Sequence, residues 1–181
     1  MRYRLEIDGI RAIAVLSVIF FHAGFNWMHG GYLGVDIFFV LSGYLITSNI
    51  LNDASQGTFS LARFYEKRCR RILPALFIVL LACIPFAYLW LLPSELKEFS
   101  RSLIYTASSV SNIFWYRSTD YFNSASELKP LLHTWSLGVE EQFYLFFPLI
   151  LIFLLTKLKN HTSKALLFIA ICSFASSLWT S

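Results

Sequence analysis

Apolar residues gather along this chain into long runs, separated by short polar or basic stretches. The runs approach the ~20 residues that an α-helix needs to cross a bilayer. The pattern predicts spanning helices at about 10 to 28, 32 to 52, 72 to 93, 134 to 156 and 165 to 181. The expected fold is therefore all-α, a polytopic transmembrane bundle of about five spanning helices without internal repeat or low-complexity tract. The stretch from about 102 to 116 is weakly apolar and rich in Ser. Were it to cross, Lys157, Lys159 and Lys164 would lie outside. As a re-entrant or interfacial segment it leaves them inside with Arg63, Lys67, Arg68, Arg70 and Arg71, which the positive-inside rule prefers. That arrangement gives a cytoplasmic N-terminus and an exterior segment from about 94 to 133.

Composition agrees with the pattern: 56% of the residues are hydrophobic, 18% aromatic and 14% charged, and the mean hydropathy is +0.58. A soluble core is not expected from these values. Arg2 and Arg4 lead into an apolar stretch that carries Arg11 and His22 and shows no small-residue cleavage site, so the N-terminus is expected to stay as the first helix. Cys69, Cys83 and Cys172 have neither paired nor metal-ligand spacing, and neither a disulfide framework nor a metal site is expected.

Charges within these runs change the picture. Arg11, His22, Asp36, Glu140 and Glu141 fall in segments assigned to lipid, where an ionisable group is costly and faces protein or water. At ~1.5 Å per residue, His22 stands about 20 Å above the inner start of the first helix, roughly 10 Å below the outer edge of a ~30 Å core. Glu140 and Glu141 descend to about that level on the fourth helix, and Asp36 lies at a depth of about 6 Å on the second. An imidazole held by a carboxylate is a general base near neutral pH. Arg11 precedes His22 by eleven residues, which at ~100° per residue places both on one helix face. Taken singly, Arg11 also fits a snorkelling anchor and His22 an interhelical hydrogen bond. Glu140 shares a face with His133 and Ser136, so spacing favours it over Glu141 as the carboxylate facing the polar interior.

A second constellation runs from Arg63 to Arg71, just before Ile72-Leu73-Pro74. Such a cluster serves equally as a topology signal or an anionic-lipid contact. It also suits phosphate, and Arg68 and Arg71 share a helical face, as Lys67, Arg70 and Arg71 roughly do. Neither a Walker nor a Rossmann glycine loop is present. Gly34 and Gly43 read as helix-packing positions, and Ser42 as a hydroxyl bonded to backbone.

Four blocks occur in order: Asp8-Gly9 with Arg11 and His22; Gly34-Val35-Asp36-Ile37-Phe38-Phe39-Val40-Leu41-Ser42-Gly43-Tyr44; the basic segment from Phe64 to Pro74; and Leu131 to Tyr144, through His133-Thr134-Trp135-Ser136-Leu137-Gly138-Val139-Glu140-Glu141-Gln142. Together they resemble membrane acyltransferase family 3, of the OafA/YrhL type. The resemblance implies a multi-pass enzyme of the bacterial inner membrane that moves an acyl group, usually acetyl from acetyl-CoA, to a hydroxyl of an exported glycan such as lipopolysaccharide O-antigen. It implies that Arg11 and His22 are the family's essential Arg-ten-His pair and that Arg68 and Arg71 are its coenzyme-side arginines. Family members carry about ten spanning helices, some followed by an SGNH-type domain, so the chain is expected to be the N-terminal part of a longer domain and to be inactive alone. A transporter or ion pathway and an inactive accessory membrane fragment are the alternative readings.

Overall fold

The computed structural model describes residues 4–118 and 129–157, together with Lys164, Leu166 and Leu167. The span expected at 165 to 181 lies, but for those two leucines, outside the described residues, as does Cys172. The described elements are helical: α1 (Leu5–His22), α2 (Gly34–Ser55), α3 (Leu61–Trp90), α4 (Pro93–Ala107), α5 (Ser111–Arg117) and α6 (Thr134–Lys157), with short 3-10 turns at Asn26–Met28 and Gly31–Leu33. The helix ending in α2 (Gly31–Ser55), α3 and α6 are each long and apolar enough to cross a membrane. The chain divides into two compact units, Met1–Phe143 and Tyr144–Ser181. In the second, α6 continues through Pro148 to Lys157.

Helix α1 ends six residues before the expected Met28. Gly24 adopts φ +77°, Gly24 N–H donates to Phe21 O at 3.1 Å and Phe25 N–H to Phe20 O at 3.1 Å. These are the paired bonds of a Schellman motif, which closes the helix on a residue that only glycine tolerates readily. The apolar Phe25, Trp27 and Met28 extend the hydrophobic run without extending the helix. His22 thereby becomes the last residue of α1, at the end of a rod about 27 Å long.

The same device ends α2. Gly57 lies at φ +66°, Gly57 N–H donates to Ala54 O at 3.1 Å and Thr58 N–H to Asp53 O at 2.9 Å. Three residues later Ser60 caps α3 by accepting from Arg63 N–H at 3.5 Å. Both ends of the connection are thus fixed. Because the cap lies at Ser60, the basic segment is helical throughout and continuous with the apolar span, eleven residues earlier than the expected start at 72.

Helices α1 and α2 are antiparallel and closely packed. A Cβ on Gly34 would collide with the Ala14 carbonyl oxygen and Val18, and one on Gly31 with the Ser17 carbonyl oxygen and Phe21. Gly43, by contrast, has only Phe143 Cζ near it, at 4.0 Å, so it is not a close-packing position. Residues 39 and 135 meet through rings 6.3 Å apart, and Ser42 meets Glu140, so α2 and α6 run parallel within the first unit. Parallel α2 and α6 put the start of α6 at the end where α3 finishes, so the chain between α3 and α6 leaves and returns at that one end of the bundle. The 102 to 116 stretch does this as the end of α4, a break at Ser108–Val110 with Ser109 at φ 58°, and α5. A core of Leu76, Leu80, Ala87, Phe99, Trp115, Leu131 and Leu132 packs α3 and α4 beneath the start of α6. Trp115 Nε1 donates to Leu131 O at 3.2 Å, and Lys129 pairs with Glu98 at 3.1 Å.

Candidate functional site

Two polar centres lie toward opposite ends of α2. The first is at the closed end of α1. His22 Nδ1 lies 2.8 Å from the Val18 carbonyl oxygen; a carbonyl only accepts, so this nitrogen carries the hydrogen and the neutral ring keeps its lone pair on Nε2. The Val18 carbonyl thus occupies the position that the sequence reading gave to a carboxylate. Against His22 packs His133, edge to face, with ring centroids 4.5 Å apart. Burial pushes the His133 imidazole below its usual value of 6.5, and the neighbouring His22 pushes it in the same direction. Sequence reasoning named His133 only as a face-mate of Glu140; the signal for its contact with His22 was that one histidine ends α1 and the other immediately precedes α6.

Below the pair, α1, α2 and α6 enclose a groove of about 290 Å³, walled by Val15, Val18, Ile19, Val35, Phe38 and Phe39 and bearing one carboxylate, Glu140. The buried Ser42 hydroxyl donates to Glu140 Oε1. Ser42 therefore reaches across helices to α6. The adjacent Glu141 is half-buried, its Oε1 without a hydrogen bond, and it feels both Glu140 and Arg68 electrostatically. Arg11 lies one turn before Ala14 on the α1 face toward α2, and its buried Nε also lacks a hydrogen bond. Asp36 is exposed on the first turn of α2 and joins no described hydrogen bond or ion pair.

The second centre is a cavity of about 390 Å³ at the turn between α2 and α3. The Ser60 cap sets the register of α3 so that Arg63, Phe64, Lys67, Arg68 and Arg71 share one face, and all five line it. Arg70 falls roughly 90° from the centre of that face and pairs instead with Glu66 at 2.9 Å on the exposed side. The structure therefore brings together Lys67, Arg68 and Arg71, leaves out Arg70, and adds Arg63, together with Asn49, Asn52 and Asp53 of α2. Among the described residues no cluster of three or more His, Cys, Asp or Glu could hold a metal ion.

The sequence matches the family described as acyltransferase domain over residues 4–181. The chain belongs to that family. It is 44% identical over 171 residues to a Staphylococcus aureus (strain MSSA476) protein provisionally named an O-acetyltransferase. It is 40% identical over 171 residues to the O-acetyltransferase OatA of S. aureus strain NCTC 8325. Each alignment covers 93% of this chain and 28% of the relative, so the chain spans little more than a quarter of their length. No solved structure matches.

Proposed function

We propose that the chain forms the donor-binding and base-bearing part of a membrane O-acetyltransferase that moves acetyl from acetyl-CoA to a hydroxyl of a cell-surface glycan. The observation that carries this reading is the placement of a cation-lined cavity and a histidine pair toward opposite ends of α2. From Val35 in the groove to Asn49 in the cavity is fourteen residues, about 21 Å along the helix. In this reading the N-terminus and the cavity are cytoplasmic, and His22 opens toward the exterior.

Donor phosphates sit on Arg63, Lys67, Arg68 and Arg71, and the thioester arm extends along α2 toward His22. The acceptor hydroxyl gives its proton to His22 Nε2 as its oxygen attacks the thioester carbonyl. The carbon–sulfur bond breaks, and the departing thiolate takes the proton back from the imidazolium. The Val18 carbonyl holds the ring in the tautomer this needs. Ser42 anchors Glu140 at the groove, where the carboxylate keeps a polar point in an apolar wall. Arg11 offers an unsatisfied donor on the same helix as the base, toward the donor side, and Asp36 stands at the exterior end of α2 as an acceptor-side carboxylate.

Binding separates this reading from a lipid contact. In nanodiscs, Arg68→Ala and Arg71→Ala should each weaken coenzyme A by about tenfold, with the Lys variants recovering part of it, because a guanidinium grips phosphate with two hydrogen bonds. Unchanged affinity in well-inserted variants would leave the segment as a topology signal.

A further inference from the structure

The cavity has a second wall that phosphate alone does not use. Facing the cations of α3 are Asn49, Asn52 and Asp53 of α2, with Phe59 on the connection. Asp53 brings a carboxylate into a cavity with four cationic side chains, yet no described ion pair joins it to them. A ligand composed only of phosphate is repelled by that carboxylate. One that carries hydroxyl or amine donors beside its phosphates satisfies both walls, the donors on Asp53 and the carboxamides, the phosphates on the cations.

Two rings add an apolar surface. Phe59 and Phe64 both line the cavity, their centroids 6.5 Å apart and their planes tilted by 43°. Arg68 lies over Phe64, its guanidinium carbon 5.7 Å from the ring centre, so the apolar surface and a phosphate-binding cation adjoin. Aromatic faces of this kind hold nucleobases by stacking. The glycine turn at Gly57 and the Ser60 cap keep the two walls at a set spacing.

We propose that the α2 wall is a nucleoside subsite, in which Asp53, Asn52 and Asn49 take the ribose hydroxyls and base amine, and Phe59 and Phe64 take the base. The inference rests on reading the cavity as the donor site and carries it further. The donor is selected for its nucleotide, so acyl groups on phosphate, on pantetheine or on a carrier protein are poor substrates.

The test uses residues 1–181 in phosphatidylcholine nanodiscs, titrated calorimetrically with adenosine diphosphate, coenzyme A and inorganic pyrophosphate. Adenosine diphosphate and coenzyme A should bind at least about tenfold more tightly than pyrophosphate. Asp53→Ala and Phe59→Ala should weaken adenosine diphosphate by about five- to tenfold without weakening pyrophosphate, which Asp53→Ala should bind at least as tightly once the repelling carboxylate is gone, whereas Arg71→Ala should weaken all three. Retained pyrophosphate binding shows that a variant is folded; if Asp53→Ala loses it, the isosteric Asp53→Asn makes the same comparison. Adding phosphatidylglycerol should leave nucleotide binding in place, and its abolition would assign the cations to lipid headgroups. The proposal is overturned by that result, by equal affinity for pyrophosphate and nucleotide, or by nucleotide affinity indifferent to Asp53 and Phe59. If coenzyme A binds but ignores Asp53 and Phe59, the donor reading survives and the nucleoside subsite does not. If nucleotide binds as expected but acetyl transfer proceeds without His22, the subsite survives and the catalytic reading does not.

Discussion

His22 and His133 show how much depends on single side chains. With Nδ1 tied to the Val18 carbonyl, His22 has one nitrogen left for chemistry. In a chimera joining residues 1–181 to the rest of the staphylococcal OatA, His22→Ala should lower turnover by about 10²- to 10⁴-fold while leaving coenzyme affinity intact, measured as acetyl transfer beside equilibrium binding. Normal transfer would remove the base from the mechanism. His133 predicts a pH effect. Its native value lies below 6.5 through burial and then His22, so the unfolded chain binds the proton more readily. The stability this gives is complete above 6.5 and is lost as pH falls through the lowered native value. The unfolding midpoint of the chain in detergent should therefore drop on acidification below pH 6.5, and His133→Gln should flatten that slope. The residue scale also shows where sequence was mute: the cations from Arg63 to Arg71 were legible as a cluster, but Arg63 lines the cavity and Arg70 does not, because the Ser60 cap sets the helical register.

Between elements, close approach and paired amides hold the first unit together. Gly34→Ala would drive a methyl into a backbone carbonyl of α1. That atom cannot rotate aside, so α1 and α2 must separate at a cost of about 1–3 kcal/mol, seen as a lower unfolding midpoint. Should Gly34→Ala melt like the parent, the contact is not what sets the spacing. Helices α5 and α6 meet through a reciprocal amide pair. Asn112 Nδ2 donates to Gln142 Oε1 at 3.2 Å, and Gln142 Nε2 donates to Asn112 Oδ1 at 2.8 Å and to Ser109 O at 3.1 Å. Gln142→Leu should cost about 1–3 kcal/mol by stranding the Asn112 amide, and adding Asn112→Leu should recover part of the loss. Strictly additive losses would show that the pair is not coupled.

For the whole molecule, the parallel course of α2 and α6 is a statement about the membrane. With Thr134 and Gly34 at one end of the bundle, α4 and α5 return the chain to the end it left. In the proposed orientation that end is exterior. A Cys placed at the exposed Ser94 of α4, in a background without the native thiols, should react with an impermeant maleimide added outside intact cells. The native Cys69, exposed on the basic segment of α3, should react only after the membrane is opened. The reverse pattern would invert the orientation and move the histidine pair to the cytoplasm.

The sequence by itself determined the class of the molecule, because apolar runs of spanning length and buried ionisable groups follow from hydrophobic transfer, which is local and additive along the chain. It also marked His22, Arg68, Arg71 and the α6 carboxylates as the candidate chemistry. Tertiary structure alone decided which of these groups meet. Glycine turns at Gly24 and Gly57 and the cap at Ser60 set where helices stop and how they are rotated, and that phase carries Arg63 into the cavity and Arg70 out of it. Helix packing then chose His133 for His22 and Ser42 for Glu140, since contacts across 98 or more residues depend on how whole helices dock, which no local pattern encodes.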